Sequence, residues 1–385
     1  MSKHVPAGWQ VKPLEKIAST RTGKMNPLVD DKIKYIGLEH IDNGAITING
    51  YMWSDATASL NSLFKKDDIL FGKLRPYLRK CIQIGFDGCC SGELLVLKAN
   101  CESANQNYLK CVLQSDPIYT FCDELSAGTK MPRVSWGDLK EFEVVLPPLT
   151  EQRKIAAILS SADRSIAATE KLIAKLADLK KALMQQLLTK GIGHAEFKPS
   201  PLGPIPKSWI MKNIGDIAKI KTGGKDTQNK VDSGQYPFYV RSQTVERINT
   251  YSFDGEGILT AGDGVGVGKV FHYVNGKFDY HQRVYNIHGF DNSVLGLFLF
   301  YYFKENFIER VKTLSAKNSV DSVRMDMISE MYVPLPPLSE QKKIAGILHG
   351  VDRKLSAAKV KLAKAKELKQ GLMNDLLTGN VRVSA

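Results

Sequence analysis

Two sets of loop residues carry the side chains best suited to chemistry. In the first half of the 385-residue chain they are Lys73, Arg75, Tyr77, Arg79 and Lys80, then Lys130 and Arg133. In the second half they are Lys225, Arg241, Gln243, Arg247 and Lys269, then His281, Gln282 and Arg283, then Lys317, Asn318 and Arg324. These are mostly hydrogen-bond donors, not nucleophiles or metal ligands. Arg and Lys pair with guanine O6 and N7, and Gln or Asn with adenine N6 and N7, in the major groove of DNA. Taken singly, each is more plainly a solvated loop charge or a phosphate contact. Taken together, they make two surfaces suited to a polyanion.

Catalytic arrangements are missing. The run from Gly262 to Lys269 looks like a phosphate loop, but a P-loop needs Gly where Asp263 stands and Ser or Thr where Val270 stands. A G-x-G-x-x-G reading fails at Val267, Lys269 and Phe271. The run is therefore expected to be a glycine-rich turn that lets backbone approach a partner. The Asp/Asn-Pro-Pro-Tyr/Phe motif of amino-adenine methyltransferases is absent, since both Pro-Pro pairs fall in Leu-Pro-Pro-Leu. No helicase motif, His-Glu-x-x-His site or Gly-x-Ser-x-Gly elbow occurs. Cys81, Cys89, Cys90, Cys101, Cys111 and Cys122 form no C-x-x-C pair, so they read as reduced, mostly packed thiols and not as a zinc site. The expectation is a chain that catalyses nothing alone and binds neither metal nor cofactor.

The elements that position the loops follow from an internal repeat. The stretch from Leu146 to Arg164, opening Leu-Pro-Pro-Leu-Thr-Glu-Gln, recurs from Leu335 to Arg353, opening Leu-Pro-Pro-Leu-Ser-Glu-Gln. Thirteen of 19 positions are identical at an offset of 189. The register continues to Leu183-Met184 and Leu372-Met373. Trp9, Ile17-Ala18 and Thr22-Gly23 match Trp209, Ile217-Ala218 and Thr222-Gly223 at an offset of 200, and Ile69-Leu70 matches Ile258-Leu259 at 189. The first copy therefore holds 11 more residues between Gly23 and Ile69. The plan has five parts: a first domain over 1–149, a helix over 150–190, a second domain over 191–338, a helix over 339–379 and a tail over 380–385.

Pro147-Pro148 and Pro336-Pro337 stop any helix before them, and Thr150 and Ser339 are suitable N-caps. Glu151 and Glu340 then suit the helix dipole, and Gly191 and Gly379 suit a left-handed C-terminal position. Inside, a 4–3 spacing marks a coiled-coil seam. In the first copy it runs Ile155, Leu159, Ala162, Ile166, Thr169, Ile173, Leu176, Lys180, Leu183, Leu187. In the second it runs Ile344, Leu348, Val351, Leu355, Ala358, Leu362, Ala365, Lys369, Leu372, Leu376. Lys180 and Lys369 interrupt the seam at the same place and either fix register or snorkel to water. Helices of this length, each about 60 Å long, pair most simply with each other, antiparallel.

The long domains read as mixed and strand-rich. Segments 68–72 and 257–262 suggest short buried strands, and 295–303 and 107–113 suggest short helices. Asn275-Gly276, flanked by alternating residues, predicts a hairpin with a two-residue turn. The net charge is +13, and the segments 150–190 and 339–385 hold ten of those charges while the long domains are near neutral. A basic chain of this kind suggests a polyanionic partner. Apolar runs fall short of the roughly 20 residues that span a bilayer, and the N-terminal residues lack an apolar core, so a cytoplasmic protein is expected.

The repeated Leu-Pro-Pro-Leu-x-Glu-Gln-x-Lys-Ile followed by a long helix resembles the specificity subunits of type I restriction–modification enzymes. The strings Tyr35-Ile-Gly-Leu-Glu-His-Ile-Asp42, Asp68-Ile-Leu-Phe-Gly-Lys-Leu-Arg-Pro-Tyr77 and His281-Gln-Arg-Val-Tyr285 are similar to that family's target-recognition domains. The likeness covers nearly the whole chain. It implies an α+β fold: two mixed target-recognition domains in a pseudo-two-fold relation, separated by two antiparallel coiled-coil helices. Each domain would read half of a split, asymmetric double-stranded DNA target. The helices would set the spacer and dock two methyltransferase subunits that use S-adenosylmethionine. Motor-nuclease subunits using ATP and Mg2+ would join through the complex. A type IIB-like specificity chain and, more remotely, a non-catalytic scaffold or an autonomous enzyme are the rivals.

Overall fold

The structure, a computed structural model, describes residues 5–125, 130–314 and 322–383. The chain has an α+β fold and divides into two compact units, residues 1–173 with 358–385, and residues 174–357. Each unit holds one strand-rich domain together with the start of one long helix and the end of the other.

Unit 1 is built on strands that pair far apart in sequence. Gln10–Pro13 pairs antiparallel with Glu143–Leu146, which closes the domain just before the helix begins. A four-stranded sheet follows in the order Ala18–Thr20, Leu94–Ala99, Ile69–Gly72, Cys81–Gln83. A second, five-stranded sheet uses Lys24–Met25, Asn61–Phe64, Gly88–Cys90, Lys34–Ile36 and Met52–Trp53. Most of its strands lie in the interval where this copy is 11 residues longer. Helices Gln106–Leu113 and Asp116–Leu125 cover the first sheet, and their buried faces join Trp9, Leu14, Phe71, Ile155 and Leu376 in one core. Five of the six thiols are buried and none is bonded to another.

Unit 2 repeats the closing pair, Ile210–Asn213 with Tyr332–Leu335. Its main sheet has six strands in the order Lys219–Thr222, Val284–His288, Phe253–Ala261, Phe271–Tyr280, Tyr236–Tyr239, Val245–Ile248. Helix Gly296–Leu314, longer than the apolar stretch alone suggests, packs Phe298, Tyr302, Phe303 and Phe307 against it. The Asn275-Gly276 hairpin does not form. Both residues lie inside the continuous strand Phe271–Tyr280, opposite Glu256 and Gly255. Pairing along the whole length of Phe253–Ala261 outweighs the local turn signal. Gly276 and Gly255, at φ +130° and +144°, absorb the distortion on both strands.

The long helices span Leu149–Leu187 and Leu338–Thr378. Neither uses the expected cap, because Thr150 and Ser339 already lie in the first turn. The first bonds of the helices run from the Gln152 and Gln341 amides to the carbonyls of Pro148 and Pro337, both at 3.0 Å. A proline suits that place because its missing N–H is not needed. Gly379 follows the second helix at φ +74°, and Gly191 closes the turn after the first at φ +66°. Every seam position is buried or half-buried. Within unit 1 the two helical segments run antiparallel, since Lys369 meets Asp163 at 2.7 Å and Lys366 meets Glu170 at 2.8 Å. Among the described residues, no helix is long and apolar enough to cross a membrane.

Candidate nucleic-acid interface

The loops that carry the candidate donors hang on a hydrogen-bonded frame that is the same in both units. In unit 1, Leu74 bridges Arg133, the Lys73 amide donates to the Glu93 carbonyl at 2.9 Å, and the Val134 amide donates to the Lys73 carbonyl at 3.0 Å. In unit 2, Asp263 bridges Ser322, the Gly262 amide donates to the Arg283 carbonyl at 2.7 Å, and the Val323 amide donates to the Gly262 carbonyl at 2.7 Å. The partners match at the repeat offset of 189, within one residue. In each unit a 3-10 turn follows at once, Pro76–Leu78 or Gly264–Gly266, and lifts one side chain into solvent, Tyr77 or Val265. The strand, the bridge and the turn thus act as a common mount.

What is mounted differs. In unit 1, Arg75 and Tyr77 are exposed and Lys73 is half-buried, and no hydrogen-bond or ion-pair partner engages their side chains. Arg75 holds φ +50° at the start of the turn, braced by its amide bond to the Pro132 carbonyl at 2.8 Å. Lys130 is exposed nearby in sequence to this frame. The remaining three are occupied. Arg79 donates to Asp116 at 2.5 Å and lies over the Tyr119 ring, Lys80 donates to the Leu38 carbonyl at 2.7 Å, and Arg133 pairs with Glu93.

In unit 2, Arg241 donates to Asp263 at 3.0 Å and Arg283 lies 3.7 Å from the same carboxylate. Gln282 donates to Asp226 at 3.0 Å, and its amide bonds the Lys225 carbonyl at 2.8 Å, which ties three loops together. Lys225, Gln243 and Lys269 have no such side-chain partner, and Arg324 is exposed beside Asp326. Arg247 spends its guanidinium on the carbonyls of Gly234 and Gln235. His281 is buried, and its Nδ1 accepts the Arg283 amide at 2.9 Å. Burial and the neighbouring Arg241 push its pKa down, so the ring is a neutral brace for its loop and not an outward reader. Lys317 and Asn318 lie outside the described residues. The glycine run approaches its own chain instead of a partner, since a Cβ on Gly266 would lie 2.4 Å from the Arg241 carbonyl.

Sequence reasoning missed what the repeated Glu-Gln pair does. Glu151 accepts the Trp9 indole N–H at 3.0 Å, and Glu340 accepts that of Trp209 at 3.1 Å. Arg382 adds two bonds to Glu151, and His194 approaches Glu340 at 2.8 Å. Gln152 donates to the carbonyls of Pro147 and Ser103 and accepts the Asn105 amide. Gln341 repeats this with Pro336, Ser293 and Leu295. The motif is a weld between helix and domain. The signal was present in the sequence, as a Trp and a Glu-Gln pair recurring together.

The lysines in the seam both turn inward. Lys180 meets Asp352 at 2.5 Å in unit 2, where Tyr301 also donates to Asp352 at 2.9 Å. Lys369 meets Asp163 in unit 1, where Lys110 donates to the same carboxylate at 2.7 Å. Burial works to raise the Asp163 pKa, but the two lysines outweigh it and hold the group below the usual carboxylate value.

Comparison with known proteins adds to this geometry. The family model for the type I restriction modification DNA specificity domain matches residues 6–178 and 206–367. The MjaVIII type I restriction enzyme specificity subunit of Methanocaldococcus jannaschii is 27% identical over 78% of this chain and 76% of its own length. A putative MjaX specificity subunit from the same organism is 27% identical over 98% and 95%. In fold, the chain is similar to a type I restriction–modification S subunit from M. genitalium, with TM-score 0.70 at 16% identity over 98% and 97% of the two chains. It also resembles a chain from a structural study of type I complex assembly and conformational transition, with TM-score 0.57 at 22% identity over 98% and 100%.

Proposed function

This chain belongs to the type I restriction modification DNA specificity family, and we propose that each of its two units reads one half of a bipartite, asymmetric DNA target. The observation that carries this reading is the shared loop mount with different loads. The same bridge and turn recur 189 residues apart, yet one presents Arg75 and Tyr77 and the other Val265, Arg241 and Arg283. Equal frames with unequal readers suit a two-part site whose halves differ. Donors of this type serve both phosphate anchoring and base-edge reading.

The two long helices set the distance between the half-sites and dock two adenine-methyltransferase subunits. Their basic surfaces, which hold most of the excess charge, suit acidic protein faces or spacer phosphates. The chemistry belongs to those partners: S-adenosylmethionine to the methyltransferases, ATP and Mg2+ to motor-nuclease subunits that join the complex. This chain binds the DNA and contributes no catalytic group.

A methylation map tests the proposal. The chain is co-expressed with the methyltransferase encoded beside it, and the host DNA is sequenced by a method that detects N6-methyladenine. A split motif with methylated adenines in both halves is expected. No new methylation from a verified complex would overturn it.

A further inference from the structure

Val265 is 92% exposed, more than any other large apolar side chain among the described residues. Scattered apolar residues are normal on protein surfaces, but the setting of this one is not casual. The turn Gly264–Gly266 that carries it is fixed at both ends. The Gly262 amide donates to Arg283 at 2.7 Å, and the amides of Lys269 and Val270 donate to the Gly266 carbonyl at 3.1 and 2.9 Å. Gly264 holds φ +69°, and Gly262 has no room for a Cβ because the Tyr285 ring lies 2.9 Å from where it would stand. Arg241 and Arg283 flank the turn through Asp263, the residue just before it. A rigid mount thus holds an isopropyl group in water, within a set of loops whose other outward side chains are donors.

Resting on the reading of unit 2 as a DNA half-site reader, we infer that Val265 contacts the C5-methyl group of one thymine in that half-site. The methyl is the one apolar feature on the major-groove edges, and a small aliphatic side chain is its natural complement. The donors around Val265 hold the phosphates and the polar edges, and the valine adds a choice of thymine at one position. In unit 1 the equivalent turn carries Tyr77, so the two half-sites are not expected to share this contact.

The test uses the complex of this chain with its methyltransferase subunits and the target found by the methylation map. Each thymine of both half-sites is replaced, one at a time, by deoxyuridine, which differs only in lacking the methyl. Wild-type complex is expected to lose affinity about fourfold at one thymine, the worth of burying one methyl. Val265→Ala and Val265→Ser should remove that sensitivity and leave the deoxyuridine responses of the other half-site unchanged. Methyl sensitivity that persists in both variants, or a target with no methyl-sensitive thymine, overturns the inference. Failure of wild-type complex to prefer the unmodified target over random DNA is a separate result, which sinks the DNA-reading proposal itself.

Discussion

Asp163 has two lysines to answer, and its energetics follow from that. Removing it leaves the Lys110 and Lys369 ammonium groups facing each other in a mostly buried site, so Asp163→Ala should cost about 3 kcal/mol in denaturant unfolding. Its pKa is lower in the folded chain than the roughly 3.9 of the unfolded one. The stability it contributes is therefore fully present above that unfolded value and is lost as pH falls through the folded one. Asp163→Asn should flatten the acid limb of a stability-against-pH profile below about pH 4. Arg75 and Arg79 divide differently. Arg75 has no internal partner, so Arg75→Ala should relax the first half-site alone, by roughly 1–3 kcal/mol if its contact is bidentate, with no change in Tm. Arg79 is tied to Asp116 and Tyr119, so Arg79→Ala should lower the stability of unit 1 slightly, within about 1 kcal/mol for an exposed pair. Binding competition on each half-site, set beside thermal unfolding, separates the two.

The helix starts show how one short motif does the work of a joint. Gln152 and Gln341 are almost wholly buried, and each satisfies two carbonyls and one amide of the adjoining domain. Gln152→Leu should strand those backbone groups and cost about 2–3 kcal/mol in unit 1, while protease protection of unit 2 stays as it was. Loss of protection in both units would mean that the weld is not local. The Asn275-Gly276 strand gives the opposite lesson. A two-residue turn signal is an energy of order a kcal/mol, and it yields when neighbouring residues gain a full ladder by continuing straight.

The molecule as a whole joins near-neutral readers to basic helices. Non-specific DNA affinity grows with the number of phosphates neutralised, so the lone chain should bind its target weakly and the complex with methyltransferase strongly, in gel shifts at matched salt. Full specific affinity of the lone chain would contradict this. Inserting or deleting four residues in both long helices changes their length by about 6 Å, comparable to one or two base-pair steps. The methylated motif should then keep its two half-sites and change its spacer. An unchanged spacer would show that the helices do not measure it.

The repeat, both helices, their seams and the division into reading domains were legible in the residues themselves. Each rests on periodicity and identity within one chain, which survive without knowledge of the fold. Which donors are free was not legible. Arg75 and Arg79 look alike in sequence, and Arg247 resembles Arg241. Only the tertiary structure brings Asp116 to Arg79, two carbonyls to Arg247 and solid packing around His281. The same holds for Trp9 with Glu151 and Lys369 with Asp163, pairs 142 and 206 residues apart. A side chain's type sets what bonds it is able to make. Its availability depends on long-range partners that chain closure alone brings within reach.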